Sequence, residues 1–444
     1  MDQKPSLFKK ILYIIIGILL ILISLISLIL LLPKLLGLFS WDIPPINDSD
    51  LALEKIEIFP EKNAVYNLSK INDIMEHPEN NELLSDHLSG KVWNEDFVKD
   101  ILSKNEQALN YFEEAAEKES FQDPYFANPE KISLNQKLMT TGFWKDISRV
   151  SALKALSLLK QNKTEEAINE AFNSLEVSYK IQNSQGVLIE YLVAMNMKEN
   201  GLNALIKIIS SFNLSSSELK NIVIKLEKFH ENEEGLIKAI KLEYLSDKLA
   251  IKALVEKDLE ALEYSFGDEK ETKKILKITQ NKFYFLPNKT LEIFANQAKI
   301  EINNVSKTYS QTEAIEPLKI LPYKWQEKYL FKNFFGESFY QIYSFERNVL
   351  VKKKCEEDLL VSITQLLIAL KAYKLDNGSL PSSLNKLVPD YISLIPIDPF
   401  DGELIRYSPE EKIIYSVGED LIDNKGSIGD NWREMSNPTF EISF

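Results

Sequence analysis

Cysteine and histidine are scarce in this chain of 444 residues. The single cysteine, Cys355, excludes an intramolecular disulfide framework and a zinc site built from several cysteines. The three histidines, His77, His87 and His230, do not have the spacing of a His-Glu-x-x-His metal site. The sequence therefore predicts scattered, solvent-facing histidines and no metal centre of these classes.

Arginine is also rare, since only four of the 52 basic residues are arginines. The formal net charge is -14, and no sustained basic stripe is present. Binding to a phosphate backbone requires clustered Lys and Arg side chains that release counterions. Nucleic acid is therefore excluded as an expected partner.

Catalytic motifs are missing as well. The chain has no Gly-x-Ser-x-Gly elbow, no phosphate-binding P-loop and no dinucleotide-binding glycine fingerprint. Ser151-x-x-Lys154 has the spacing of penicillin-interacting acyl enzymes, but the same spacing recurs by chance in a lysine-rich chain and the companion motifs are absent. The glutamates from Glu113 to Glu119 are typical of a solvated helix face. We expect a protein that is not an enzyme.

An uninterrupted apolar run extends from Ile11 to Leu32, and at 1.5 Å per residue it would measure roughly 33 Å. It predicts a transmembrane helix at 11–33, an uncleaved signal-anchor, with a cytoplasmic tail at 1–10. Three lysines precede the run, which places the N-terminus in the cytoplasm by the positive-inside rule. The expected location is the bacterial inner membrane, single-pass, with the C-terminal domain extracytoplasmic; a buried core helix is the alternative.

After a turn-rich linker at 34–52, the residues from 53 to 350 predict an irregular array of helical hairpins. An apolar stripe that ends near Gln161 and resumes after Thr164 predicts one helical hairpin, and we expect Thr164 to cap its second helix. This pair looks like one tetratricopeptide unit, although no second copy follows at a regular period. Ser215-x-x-Glu218 is a capping box that opens a further helix.

The residues from 355 onward predict a different structure. A long apolar helix should end at Gly378, which can adopt the left-handed cap conformation, and Pro381 prevents its resumption. Two short alternating segments, at 405–407 and 413–415, then predict a β-hairpin.

The strings at 373–381, 398–402 and 415–418 together resemble the C-terminal domain of the major, G-type pseudopilin of type II secretion systems. The resemblance implies a helix packed on an antiparallel sheet at 355–444. A true pseudopilin has its membrane helix directly before this domain, and that helix contains a glutamate. Both features are missing here. The overall expectation is a mainly α protein with a small C-terminal α+β domain.

The acidic, glycine-rich loop after the hairpin has oxygen groups of the kind that calcium prefers, although its composition alone favours a polar surface loop. The pseudopilin resemblance implies structural calcium in this loop. Carried over by position, the expected ligands are Ser416, Asp420, Asp423 and Asp430, with Gly418 as a carbonyl donor.

These features predict a membrane-anchored, extracytoplasmic, non-catalytic protein that contacts other proteins of the bacterial cell envelope, with a link to type II secretion. An alternative makes the helical middle a tetratricopeptide-like scaffold for envelope assembly. An extracytoplasmic hydrolase is a third class, which lacks a convergent nucleophile and base. The sequence identifies neither the envelope partner nor the oligomeric state.

Overall fold

A computed structural model describes residues 7–134, 141–211, 214–230, 233–266, 268–313, 332–344, 350–426, 428–429 and 431–444. Within these ranges the protein is mainly α-helical, and its strands form one small antiparallel sheet near the C-terminus. The predicted fold class is confirmed at this level.

The helices of the described residues fall into an N-terminal and a C-terminal series. The first series is α1 (Leu7–Leu38), α2 (Val65–Ile74), α3 (Asn81–Ser89), α4 (Glu95–Lys104), α5 (Glu106–Glu117), α6 (Gly142–Lys160), α7 (Thr164–Gln182) and α8 (Leu188–Ser211). The second series is α9 (Ser216–Leu226), α10 (Glu233–Glu256), α11 (Leu259–Phe266), α12 (Glu269–Thr279), α13 (Pro287–Val305), α14 (Phe334–Ser344) and α15 (Leu350–Asn377).

Helix α1 covers the N-terminal apolar run, but the predicted membrane anchor is not supported. A crossing needs about 20 consecutive apolar residues. Among the described residues, no helix has the length and apolar character of a membrane span. The single-pass anchor at 11–33, its signal-anchor topology and the inner-membrane location are therefore withdrawn.

The predicted helical hairpin is confirmed by α6 and α7, which pack against each other and against α8. Helix α6 ends at Lys160 and α7 begins at Thr164. Thr164 is the first residue of α7 rather than its cap, and no side chain caps this end. The Ser215 capping box is present, with both of its hydrogen bonds formed to and from Glu218.

Helices α7 and α8 approach closely where α8 carries a glycine. A Cβ atom on Gly201 would lie 2.8 Å from the carbonyl oxygen of Ala171 and 2.9 Å from Leu175 Cδ2. Both distances are shorter than van der Waals contact, and the first involves backbone that cannot rotate away. The absence of a side chain at position 201 therefore allows this crossing.

Two of the larger clusters of buried apolar side chains lie within the helical region. One joins α2 to α8 around Phe112, Trp144 and Ile147. The other joins the start of α8 to the helices from α10 to α14, around Leu262, Phe294 and Ala298. Separate clusters are expected in a chain of this length, because single cores rarely grow beyond about 250 residues.

The largest cluster extends from the helical region into the C-terminal residues. Leu359, Ile363 and Leu366 of α15 belong to it, and it contains residues of α7, α8 and α9 together with residues of the sheet. Helix α15 packs against α8 and α9. One continuous core therefore includes both the helical array and the C-terminal sheet.

The sheet contains β1 (Arg406–Ser408), β2 (Ile413–Tyr415) and β3 (Thr439–Glu441) in the order β1-β2-β3, with antiparallel pairing throughout. Strands β1 and β2 form the predicted hairpin, in which Tyr407 lies opposite Ile414. Gly378 terminates α15 with φ +78°, as predicted, because its left-handed conformation lacks a Cβ penalty. Strand β3 had no specific sequence prediction.

Candidate interaction surface

The predicted calcium loop begins with two residues that have internal partners. Ser416 is buried, and its Oγ donates a hydrogen bond to Asp398 Oδ1 at 2.8 Å. The N–H of Gly418 donates to Ser416 Oγ at 3.0 Å, and its carbonyl accepts from Leu421 at 3.3 Å. These oxygen atoms therefore help to form the turn after β2.

The acidic residues of the loop cap local turns. Asp420 accepts a hydrogen bond from the N–H of Ile422 at 3.0 Å, and Asp423 accepts one from the N–H of Lys425 at 2.8 Å. Asp430 lies outside the described residues. Within the part of the chain that is described, no group of three His, Cys, Asp or Glu is placed to hold a metal ion. Calcium binding stays a prediction.

Asp398 is the centre of the C-terminal polar network. It is fully buried, accepts hydrogen bonds from the N–H groups of Phe400 and Val417, both at 3.0 Å, and lies 2.7 Å from Arg406 Nη1. Burial raises the pKa of Asp398, and these donors oppose that shift by favouring its charged form. Arg406, the first residue of β1, also pairs with Asp401. The Asp-Pro-Phe-Asp-Gly string at 398–402 is therefore held against β1.

Ser151 and Lys154 of the Ser-x-x-Lys string both contact the carboxylate of Glu170. Ser151 Oγ donates to Glu170 Oε1 at 2.7 Å, and Lys154 Nζ lies 2.6 Å from Glu170 Oε2. Ser151 is buried between α6 and α7, so a substrate could not reach its hydroxyl. The contact joins the two helices and lacks the geometry of an acyl enzyme.

Of the three histidines predicted to face solvent, one is exposed, one is buried and His230 is half-buried. His77 is exposed and lies 2.7 Å from Asp146, in agreement with the prediction. His87 is fully buried, with Nδ1 at 2.7 Å from the Leu83 carbonyl oxygen and Nε2 at 2.9 Å from the N–H of Asn94. The prediction was wrong for His87, because a ring with both nitrogens bonded can be buried without loss.

A groove of about 420 Å³ lies between residues 392–399, which precede the sheet, and the neighbouring helices. We call it the connector groove. It is lined by the connector residues 392–397 and 399, by Lys354, Cys355, Asp358, Ser362 and Gln365 of α15, by Glu227 and His230 after α9, and by 306–308 after α13.

The reactive side chains of the connector groove are already engaged. The Cys355 thiol donates to the Pro399 carbonyl oxygen at 3.4 Å, and burial raises its pKa to about 12, so the nucleophilic thiolate is disfavoured. His230 Nε2 faces Gln365 Oε1 at 2.5 Å. Lys354 lies 2.7 Å from Asp358. These reactive side chains are therefore paired or neutral, and residues 392–397 add aliphatic side chains to the lining.

An apolar edge borders the connector groove. Leu394, Ile397 and Leu404 expose 74%, 53% and 52% of their surfaces, although aliphatic side chains of this size are usually buried. An isolated antiparallel bridge joins Ile397 to Leu404, so the connector lies alongside the residues that lead into β1. We call these three side chains, with the backbone of Ile395, the connector edge.

The backbone of the connector edge has unused hydrogen-bonding groups. The N–H of Asp398 donates to Glu403 and the N–H of Ile405 donates to Pro396, which places the N–H and C=O of Ile397 on the opposite, outward side. Among the described residues, the backbone groups of Ile395 and Ile397 have no partner. Such groups are a template for pairing with another chain.

No pattern in the sequence predicts this edge. The string Ile-Ser-Leu-Ile-Pro-Ile at 392–397 lies between the predicted end of the long helix and the predicted hairpin. Its single detectable signal is four large aliphatic residues between two short turn motifs, a composition that predicts burial rather than the exposure observed.

Comparison of the chain with protein-family models, with curated proteins and with solved structures yields no match. The predicted link to type II secretion is withdrawn, since no relative supports it, and the pseudopilin resemblance stays a prediction.

Proposed function

We propose that this protein is a non-enzymatic binding protein that receives an extended, uncharged segment of a partner protein along the connector edge. The observation that carries the proposal is the combination of exposed Leu394, Ile397 and Leu404 with the unpaired backbone groups of Ile395 and Ile397. A partner strand would satisfy those groups and cover the apolar side chains, which is the mode known as β-augmentation.

The charges around the connector groove favour an uncharged segment. Asp358 is paired with Lys354, and Lys307 lies 2.9 Å from Glu313. Glu227 accepts a hydrogen bond from Ser393. An added charge on the partner would have to compete with these contacts or lose its hydration in the groove. Neutral side chains avoid both costs.

The tetratricopeptide-like alternative is less well supported. In a scaffold of helical pairs, one face of the array must remain open to the partner. Here α15 packs on α8 and α9 and fills that region with buried apolar side chains. A non-enzymatic role is supported by the engagement of Cys355 and Ser151 in buried contacts.

The proposal can be tested with defined decapeptides on the full-length chain. Binding, measured by fluorescence polarisation, should select peptides with uncharged apolar residues at alternate positions. Methylation of alternate backbone nitrogens in a selected peptide should abolish binding, because it removes the paired N–H groups.

Leu394→Asp and Ile397→Asp should each weaken peptide binding at least tenfold. Ile224→Asp is the matched control, because Ile224 is 62% exposed on α9, away from the groove lining. Equal losses in all three variants, or full binding by the methylated peptide, would contradict the proposal. Concentration-dependent dimerisation that only the edge variants abolish would instead assign the edge to a second copy of this chain.

A further inference from the structure

A second cavity lies on a different face, where the C-terminal turn meets the helical region. It has a volume of about 430 Å³ and is bordered by α3, α6, α8 and residues 431–433. Small-molecule sites typically measure about 300 to 1,000 Å³. We call this cavity the cationic pocket, after its three basic lining residues, Arg149, Lys207 and Arg433.

The basic residues are unusual for this chain. The sequence contains only four arginines and has a formal net charge of -14, yet two arginines line one cavity. The one acidic residue in the described lining is Glu199, which pairs with Arg433. Carboxylates just outside the lining also approach both arginines, Glu356 at Arg433 and Asp146 at Arg149, so the uncompensated positive charge of this cavity belongs to Lys207.

Lys207 supplies the least compensated of these charges. Its ammonium group donates to the carbonyl oxygen of Leu88 at the end of α3, and no carboxylate among the described residues pairs with it. A lysine at a helix C-terminus interacts favourably with the helix dipole, which explains its position. A carbonyl oxygen nevertheless neutralises only part of a unit charge. Burial lowers the pKa of Lys207 to about 8, as expected for an ammonium group without a counter-ion.

Further donors face the same cavity. Arg433 uses Nε for Glu356 and Nη1 for Glu199, and its Nη2 has no partner among the described residues. The side chain of Asn203 likewise has no hydrogen bond within the described part of the chain. Leu156 and Trp432 add apolar and aromatic surface to the wall. A ligand with one acidic group and a small apolar body would match this lining.

We propose that the cationic pocket binds a small organic oxyanion, a carboxylate or phosphate monoester attached to a compact apolar group. The acidic group would lie against Lys207, Asn203 and Arg433, and the apolar group would lie against Leu156 and Trp432. Arg149 is held by Asn81 and Ser85, with hydrogen bonds of 2.7 and 2.9 Å, and contributes a fixed charge. This site is independent of the connector edge.

The test is isothermal titration of the full-length chain with phenyl phosphate and with benzoate. Benzyl alcohol is the neutral control, and inorganic phosphate and acetate test whether the apolar body matters. Saturable binding of an aromatic anion, with no binding of benzyl alcohol, is expected. Tighter binding of phenyl phosphate or of benzoate identifies the acidic group. At pH 8 binding should take up protons, because a bound anion raises the pKa of Lys207, and the heat should therefore depend on the buffer.

Asn203→Asp adds a negative charge without removing a hydrogen bond and should weaken binding at least tenfold. Lys207→Met should do the same, but it also removes the contact with α3, so its circular dichroism spectrum must match that of the wild type. Lys104→Met, on the exposed face of α4, changes the net charge as Lys207→Met does and should leave binding unchanged. Unaltered affinity in Asn203→Asp, or no saturable binding of either aromatic anion up to about 10 mM, would overturn the proposal.

Discussion

Lys198 and Glu357 form a buried ion pair that joins the helical array to α15. Their side chains expose only 3% and 8% of their surfaces, and Lys198 Nζ lies 2.7 Å from Glu357 Oε1. Glu357 also accepts hydrogen bonds from Gln182 Nε2 at 2.8 and 3.1 Å, and Lys198 donates to the Phe229 carbonyl oxygen at 3.3 Å. Three elements, α7, α8 and α15, therefore meet at this pair.

We expect Lys198→Met to lower the free energy of unfolding by about 3 to 5 kcal/mol, since it leaves the Glu357 carboxylate buried without its counter-ion. Glu357→Met should cost a similar amount, because it leaves the ammonium group of Lys198 with one carbonyl oxygen. The double variant removes both charges and replaces them with flexible apolar side chains. Its loss should be smaller than the sum of the two single losses by about 2 kcal/mol or more.

Lys104→Met is the matched control for the same chemical change at the surface. Lys104 lies 2.8 Å from Asp100, four residues earlier on α4, and the two side chains expose 45% and 57% of their surfaces. Exposed pairs of this kind contribute about 0.3 to 0.5 kcal/mol. Urea-induced unfolding followed by circular dichroism and by tryptophan fluorescence gives the stabilities of the wild type and of the four variants, provided that both probes give coincident transitions.

The argument depends on burial of the pair in the folded protein. A loss below about 1 kcal/mol for Lys198→Met, similar to that of the Lys104→Met control, would show that water reaches Glu357. Additive losses in the double variant would show that the two side chains do not interact. Either result would refute the conclusion that this contact helps to fix α15 to the array.

Three other predictions concern Glu190, Gly201 and the calcium loop. Burial raises the pKa of Glu190 to about 8, and its Oε2 has no hydrogen bond. Because the folded state then holds the proton more tightly than the unfolded state, the free energy of unfolding of the wild type should fall by up to about 1.4 kcal/mol per pH unit between pH 5 and 8. Glu190→Gln should reduce this slope in urea titrations. Gly201→Ala should cost about 1 to 3 kcal/mol in thermal unfolding, whereas Gly142→Ala, with no atom within 4 Å of the new Cβ, should be nearly neutral. Calcium at a hundredfold excess over its dissociation constant should stabilise the full chain by about 2.7 kcal/mol, and Asp423→Asn should abolish that effect; an unchanged melting temperature in calcium would contradict the ligand prediction.

Local signals in the sequence predicted local structure well. The apolar stripe interrupted near Gln161 identified the α6–α7 hairpin, and the Ser215 capping box marked the start of α9. Gly378 and the alternating residues around Tyr407 located the end of α15 and the hairpin. Each of these features depends on residues within a few positions of one another, which is the range over which periodicity and capping act.

The candidate sites depend on contacts between distant parts of the chain, so they were not predictable in this way. The connector edge exists because Ile397 pairs with Leu404 while its outer side remains open. The cationic pocket joins Arg149 and Lys207 of the helical array to Arg433 near the C-terminus. Neither grouping leaves a pattern in the sequence, because no fixed spacing relates residues that approach only through tertiary packing.

Helix α15 is buried on all of its sides, which shows how the C-terminal residues are joined to the rest of the fold. A helix that packs on one side of a three-stranded sheet needs a single apolar face, and its other face should be polar. In α15 the residues around the whole circumference are buried, including Thr364 and Gln365 between Ile363 and Leu366. The sheet can cover only one side of this helix, so α8 and α9 must cover the other. The C-terminal residues therefore share a core with the helical array, which the predicted packing of this helix on a small sheet did not include.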